Sequence, residues 1–426
     1  MKKDVFLPAN ILIPEGISLE KWSVIACDQF SSEEEYWEQA SAIIGDEPST
    51  LKMIIPEAYL CDFDENETLK RLCAVMNDYL EQKIFREYKD AFVYVERTLP
   101  DGTVRPGLVG AVDLDQYDFS AGVAATANVP KKTSAETAAI LASEGTILDR
   151  LPVRVKARRA AALELPHIMA FINDSDKTII EPLAEVTETL PLLYDFELIQ
   201  GGGHIRGKLL QGKHAEQIQT AFRLLHEKTT PLMVMGDGNH SLAAAKTYWD
   251  ELKQNLTVNE RKAHPSRIAL LEVNNVYDPS ISFEAIHRCL FGVEPSDFVS
   301  AFEKAMSEAS KHGNYERYEF KWIIGGKNGI VTVAADSIGE ALSMMQRFLD
   351  DYARKTGCCV DYIHGEDTTK RLATEEDDRA GLILPALTKE DLFKTVSAGG
   401  VFPKKAFSVG SAREKRYYLE CREIKG

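Results

Sequence analysis

The stretch that decides the architecture is Pro231-Leu232-Met233-Val234-Met235-Gly236-Asp237-Gly238-Asn239-His240-Ser241. Pro231 to Met235 is a short apolar run, which by length and flanks reads as a buried strand. Ser241 to Gln254 is rich in Ala, Leu and Lys and reads as a helix. Between them lies a turn with two glycines, a residue that tolerates positive φ and close backbone approach to a ligand. A strand feeding a helix through such a turn is an α/β signature. The open N–H groups and dipole of the helix start make it an anion site. Asp237 could hold a metal ion or a hydroxyl, and Asn239 and His240 could donate to phosphate oxygens. The bland alternative is a tight strand–helix turn, with Ser241 as N-cap and Asp237 shaping the loop.

Working outward, Trp22 to Cys27 reads as a buried strand, followed by an acidic helix from Glu33 with Ser32 as its N-cap. Glu67 to Phe85 has helical periodicity. Ala91 to Arg97 and Gly107 to Leu114 read as strands joined at Pro100-Asp101-Gly102. Ser134 to Ser143 is expected to be helical and His167 to Ile172 a strand. Tyr194 to Ile199 and His204 to Leu210 form an expected hairpin, and Ala215 to His226 a helix. Ile268 to Asn274 is another expected strand. From Pro295 to Thr356 the pattern becomes helix, two strands, helix. The fold class expected is α/β (or α+β), on a mixed sheet. Its parts are a main domain over 1–295 carrying the anion site, an inserted α+β lobe over 296–357, and a segment over 358–426 that returns to the main domain.

The chain has 426 residues and a formal charge of −16, with 50 Lys plus Arg against 66 Asp plus Glu. Nucleic-acid binders need clustered cations to release counterions, so no nucleic-acid partner is expected. An acidic chain gains nothing from an anionic membrane surface, and no run of 18 apolar residues suggests a span. Met1-Lys2-Lys3-Asp4 is not followed by an apolar region, so no signal peptide is expected. Seven scattered cysteines without a Cys-x-x-Cys pair suit reduced thiols in the cytoplasm. Net charge leaves room for one small anion, a phosphate or a carboxylate, at a local basic site. It leaves homo-oligomerisation open.

Such a site has candidates. Arg150, Arg154, Lys156, Arg158 and Arg159 form the most basic stretch of the first half; a solvated face is the alternative reading. Glu144 precedes Gly145 and opens this stretch. Asp28 follows the apolar run at 22–27, where ligand-binding loops often begin. Both carboxylates fit general-base work, and both fit plain turns. None of the nine histidines precedes His167. His240 and His204 stand out because they sit beside glycine-shaped turns. Gly202-Gly203-His204-Ile205-Arg206-Gly207-Lys208 mimics a P-loop, but Leu209 replaces its Ser or Thr and no helix is expected there. No nucleophile elbow, His-Glu-x-x-His pair or EF-hand loop occurs.

Several ordered motifs together resemble a prokaryotic family known as domain of unknown function 1015, over essentially the whole chain. They include Ala26-Cys27-Asp28-Gln29-Phe30, Ser143-Glu144-Gly145-Thr146 with Arg150 and Arg154, and Leu165-Pro166-His167. Gly202-Gly203-His204, the turn Gly236 to Ser241, Ile286-His287-Arg288, Tyr362-Ile363-His364-Gly365 and Lys415 to Glu420 complete the set. Asp237-Gly238-Asn239-His240 is also similar to the phosphate-binding turn of the ParB and sulfiredoxin superfamily, which includes free serine kinases. Ser241 stands where that superfamily usually has Arg, so Lys246, Arg150 or Arg154 would supply the charge. The resemblance implies a ParB/sulfiredoxin-like strand–turn–helix and a nucleotide-dependent phosphotransferase acting on a small, serine-like hydroxylated metabolite. ATP or another nucleotide with magnesium would be bound at Gly236, Asp237, Gly238, Asn239, His240 and Ser241, with Arg150, Arg154 and His204. Asp237 would be the metal ligand, and Glu144, Asp28 and His240 the catalytic candidates. Haem, flavin and structural zinc are not expected. A non-catalytic nucleotide- or metabolite-binding regulator and a phosphatase or other hydrolase are the alternatives.

Overall fold

The computed structural model describes residues 4–59, 65–120, 138–398 and 400–425. The chain opens with strands β1 (Phe6–Leu7) and β2 (Ala9–Pro14) and helices α1 (Leu19–Trp22), α2 (Glu34–Ile44) and α3 (Glu65–Glu81). A long hairpin follows, β3 (Phe85–Thr98) and β4 (Val104–Asp113), then the short strands β5 (Tyr117–Asp118) and β6 (Ile140–Leu141). Next come α4 (Leu151–Ala160), β7 (Leu163–Glu164), β8 (Met169–Ile172) and the hairpin β9 (Leu192–Glu197) and β10 (His204–Leu210). Helix α5 (Lys213–Lys228) leads to β11 (Met233–Asp237), α6 (Asn239–Leu252), α7 (Val258–Ala263) and β12 (Ile268–Asn275).

Apart from β7, these strands build one mixed sheet in the order β5-β6-β11-β8-β12-β4-β3-β10-β9, with β1 beside β4 and β2 beside β3. Pairing is parallel at β5/β6, β6/β11 and β8/β12 and antiparallel elsewhere. The β3 run Ala91 to Val95 is buried throughout, because alternate side chains enter different cores. Phe92 and Tyr94 pack with α4, α5 and α6, for example with Phe222 and Trp249. Val93 and Val95 pack on the other face with Trp22, Trp37, Met76 and Tyr79.

A second sheet holds β13 (Phe283–Phe291), β14 (Glu316–Ile324), β15 (Lys327–Ala335), β16 (Cys359–His364), β17 (Arg379–Ile383) and β18 (Phe407–Val409). Helices α8 (Pro295–Ala309), α9 (Ile338–Thr356), α10 (Glu366–Thr374) and α11 (Lys389–Ser397) accompany it. The helix–hairpin–helix expected over 296–357 forms, and β14 continues it into β17 and β13. Phe298, Phe302 and Met306, spaced by four, seat α8 on this sheet's core with Phe320, Val333 and Leu349. The same core takes in Leu141, Phe171 and Val234 from the first sheet. The C-terminal end of β11 therefore lies beside the junction of the two sheets.

Residues 412–424 run back across the first sheet as a strap. Trp22 Nε1 donates to the Leu419 carbonyl (2.9 Å), Leu12 and Cys421 exchange backbone bonds (2.8 and 2.9 Å), and β19 (Arg422–Glu423) pairs with β7. Arg416 enters the buried interior between Glu272 (3.0 Å) and Glu420.

Three expectations are corrected. Trp22 to Cys27 is not a strand: Trp22 ends α1, and only Ile25 makes a bridge, to Tyr417 of the strap. The run is apolar because the strap buries it, not because a sheet does. Ser32 does not cap α2, whose N-cap is Glu33 with no side-chain bond. Of the expected helix over 134–143, residues 134–137 lie outside the described residues, and Ile140–Leu141 is a strand held between β5 and β11.

Arg416→Ala strands two buried carboxylates without their counter-charge. It is expected to cost about 3–5 kcal/mol, read as a lowered urea midpoint.

Candidate functional site

The turn after β11 is shaped by two different glycine requirements. Gly236 sits where β11 shifts register against β8, and a Cβ there would stand 2.4 Å from the Phe171 ring. It is therefore needed for packing, and only Gly238 uses the left-handed region, at φ +77. Gly238 is the N-cap of α6, and no side chain caps that helix. Of its first-turn N–H groups, that of Ser241 donates to the Gly238 carbonyl (3.0 Å), which leaves those of Asn239 and His240, and the Gly238 N–H itself donates to Asp237 Oδ1 (2.7 Å).

Three residues after Gly238 tie the helix start to other segments. Asn239 is buried and holds Ser143 at two points: Ser143 N–H donates to Oδ1, and Nδ2 donates to Ser143 Oγ, both at 3.2 Å. His240 Nε2 accepts from the Ile147 N–H (3.1 Å). This leaves the ring proton on Nδ1. Ser241 Oγ bonds His167 Nε2 (2.8 Å). Asn239 and His240 thus spend polar groups on positioning the loop 143–147, where the sequence suggested direct phosphate contacts. Ser241 belongs to the first turn and is not an N-cap.

The loop so held presents Glu144. Gly145 N–H donates to the Phe402 carbonyl (3.2 Å), and Phe402 N–H donates to the Ser143 carbonyl (2.8 Å). From the strap, Lys415 Nζ reaches Asp237 Oδ2 (3.5 Å). On the other flank, the Cys27 N–H donates to the Tyr418 hydroxyl (3.2 Å) and so fixes the loop bearing Asp28. Arg154 is pinned to Glu57 (2.7 Å), while Arg150 is exposed at the start of α4.

The electrostatics follow from burial. Glu144 is raised to about 7, first by desolvation and then by Asp237, against the pull of Lys415, Lys405 and Arg288. Asp28 is also raised, by burial and then by Asp237. One carboxylate, Asp237, thus acts on both, and two of the three acids favour sharing or keeping a proton. His240 falls to about 4 through burial and the charges of Arg154 and Arg150, so it is neutral at pH 7.

The structure therefore brings Asp28, Glu144, Asp237, the helix start at 238–241 and Arg150 with Arg154 to one place. His204 is elsewhere. It pairs with Asp195 (2.7 Å) at the start of β10, and β8, β12, β4 and β3 stand between that strand and β11. The P-loop look-alike is a one-turn 3-10 segment running into β10. His167, Lys415, Tyr418 and Glu57 join the site without having been singled out as site residues. The position of His167, Lys415 and Tyr418 inside motif-like runs hinted at them, and nothing pointed to Glu57.

Among the described residues no group of three or more His, Cys, Asp or Glu side chains could hold a metal ion. Magnesium would fit here only with ligand oxygens completing the shell of Asp237, a common arrangement for this ion with phosphates. Beside the turn, a cavity of about 270 Å³ opens past Ser241, His167 and Arg154 into walls of Leu69, Leu72 and Met76.

A mixed α/β protein with acids, a lysine and an uncapped helix start gathered at the edge of its larger sheet is thus defined. The chain belongs to the family described as "Protein of unknown function (DUF1015)", which matches residues 13–352. No curated protein matches it. Solved structures that overlap it include a conserved hypothetical protein from Pyrococcus furiosus (12% identity, 67% of this chain and 92% of that one, TM-score 0.32). A free serine kinase in complex with AMP overlaps at 11% identity (67% and 88%, TM-score 0.35). SbnI from Staphylococcus aureus, C-terminally truncated, overlaps at 11% (71% and 82%, TM-score 0.34). At these TM-scores, the family match is what places the chain.

Two measurements check the geometry. Asn239→Ala leaves the buried Ser143 N–H without its acceptor and is expected to cost about 1–3 kcal/mol, with faster amide exchange over 144–147. For Glu144, the raised carboxyl favours folding through its protonated form. That contribution is full below about 4.5, its ordinary value, and is lost as pH rises through about 7. Glu144→Gln should therefore be more stable than the parent at pH 8, on the order of 2 kcal/mol, and equal to it at pH 4.

Proposed function

We propose that the protein is a nucleotide-dependent phosphotransferase acting on a small hydroxylated metabolite of the serine type. The observation that carries this reading is Glu144, held near neutrality beside an uncapped helix start. A general base works best with a pKa close to the working pH. The substrate hydroxyl would bind with its proton toward Glu144. Its oxygen would attack the terminal phosphorus as the bond to the leaving nucleotide breaks, and the proton would pass to Glu144. The N–H groups of α6, with Lys415 and Arg150, would hold the transferring group and its charge. Arg154, engaged with Glu57, would act by holding α4. His240, neutral and bonded to Ile147, would act by holding the loop. Asp28, raised by burial, is the second base candidate. Magnesium, when bound at Asp237, would supply charge neutralisation between phosphate oxygens. The serine-type substrate follows the resemblance of the turn to its superfamily. The free thiols, Cys27 and Cys289 among them, suit a reducing compartment such as the cytoplasm.

A second reading rests on one contact. Ser241 Oγ on His167 Nε2 pairs a nucleophile with a base, as a hydrolase of phosphorylated metabolites needs.

The test is thermal unfolding and turnover with ATP or ADP, serine and magnesium. A nucleotide at 100 times its Kd is expected to add about 2.7 kcal/mol of stability. Glu144→Gln should keep that shift while lowering kcat by about 10²–10⁴-fold. Absence of both shift and transfer overturns the phosphotransferase. Phosphate released from phosphoserine without nucleotide, and lost in Ser241→Ala, would establish the hydrolase instead.

A further inference from the structure

A cluster of cations outside the roles given above lies on the second sheet. Arg288 on β13 is in register with Tyr362 on β16, and its Cζ stands 4.3 Å from the Tyr362 ring centroid. Lys405 Nζ lies 5.3 Å and Lys404 Nζ 5.6 Å from the same centroid. Three positive charges therefore surround one ring. Arg288 is fully buried, and its N–H groups go to Gln346 and to the carbonyls of Ile286, His287 and Lys404. None of the three has a carboxylate within 4.0 Å among the described residues. Lys405 adopts a left-handed backbone, φ +53, which costs a non-glycine residue energy and marks places under functional constraint.

The fold aims this cluster at the helix start. Phe402, two residues before Lys404, pairs with Ser143 and Gly145 on either side of Glu144. Lys415 arrives from the strap on Asp237. Lys415, Lys405 and Arg288 thus act on Glu144, and Lys415 also on Asp237, with Glu284 near His364 and Asp350 behind Gln346 the other acids at hand. A ring–cation contact is worth about 0.5–1 kcal/mol at exposed sites, a small return against gathering like charges. A ligand carrying several negative charges reverses that balance.

We propose that Lys404, Lys405 and Lys415, backed by the buried Arg288, form a polyphosphate-binding face, which takes the phosphate chain of a nucleoside polyphosphate across from the helix start. Lysines suit this as point charges on phosphate oxygens, with no need of bidentate geometry. Tyr362 and the buried Arg288 keep the two exposed ammonium groups poised, and so reduce the cost of ordering them. The proposal deepens the phosphotransferase reading and rests on it for the nucleoside part; the polyphosphate part stands by itself.

The test is titration calorimetry of the full chain with inorganic tripolyphosphate and with orthophosphate, at low and high salt. Lys404→Ala/Lys405→Ala is compared with Lys228→Ala, an exposed lysine on α5. Both lysines of the double variant are exposed, so its unfolding midpoint should not move. Tripolyphosphate is expected to bind the parent and Lys228→Ala alike. It should bind the double variant roughly tenfold or more weakly, with a flatter salt dependence. Tripolyphosphate that fails to bind the parent, or binds the double variant equally well, overturns the proposal. If the double variant loses tripolyphosphate but the parent transfers no phosphoryl group, the face stands and the phosphotransferase falls. If the double variant transfers phosphoryl groups with an unchanged nucleotide KM, the reverse holds.

Discussion

Arg416, buried between Glu272 and Glu420, is the interaction on which the rest depends. Glu272 lies on β12, in the middle of the larger sheet, and Glu420 also accepts from the Tyr194 hydroxyl on β9 (2.6 Å). One guanidinium therefore joins the strap to two well-separated strands. Placing these charges out of water is costly, and an apolar replacement could be as stable. The ion group adds register: with Arg416 fixed, Lys415 must point to Asp237, and Tyr418 must meet Cys27. Arg97 and Arg105 reinforce the same register by bonding strap carbonyls at Arg413 and Glu414.

What was legible in the sequence was local. The apolar run to Met235, the glycines and the alanine-rich helix are neighbours in the chain, and they form the strand, turn and helix that they suggest. Glu144 and Asp28 could be picked out because carboxylates beside glycine or after an apolar run are conspicuous. Their relation to Asp237 could not, because it depends on Asn239 binding Ser143 and on Tyr418 binding Cys27. The apolar run at 22–27 has the composition of a strand, and burial under a strap demands that same composition. His204 looked promising for its glycines, yet these serve a hairpin that four strands separate from β11. Lys415 lay in one of the family-like runs, and only the tertiary path of the strap gives it a partner.

The charge of the chain also reads differently in three dimensions. Much of its acidity is dispersed over helices, loops and strand edges. At the junction of the sheets the sign is locally reversed by Arg288, Lys404, Lys405 and Lys415. Acids and cations there alternate around Glu144, so each tunes its neighbours. Burial and Asp237 raise the Glu144 carboxyl there, and the neighbouring cations oppose that rise.

The strap has a consequence for how the protein comes into being. Trp22 waits for Leu419, 397 residues downstream, and Tyr418 completes the loop that carries Asp28. During synthesis, the sheets can collapse while the upstream apolar run is still uncovered and the pocket has neither Lys415 nor a fixed Asp28. A nascent chain of this kind exposes an apolar surface until residues 412–424 have emerged from the ribosome. Burial of that run and the placing of Lys415 on Asp237 and of Tyr418 on Cys27 thus depend on the same late segment.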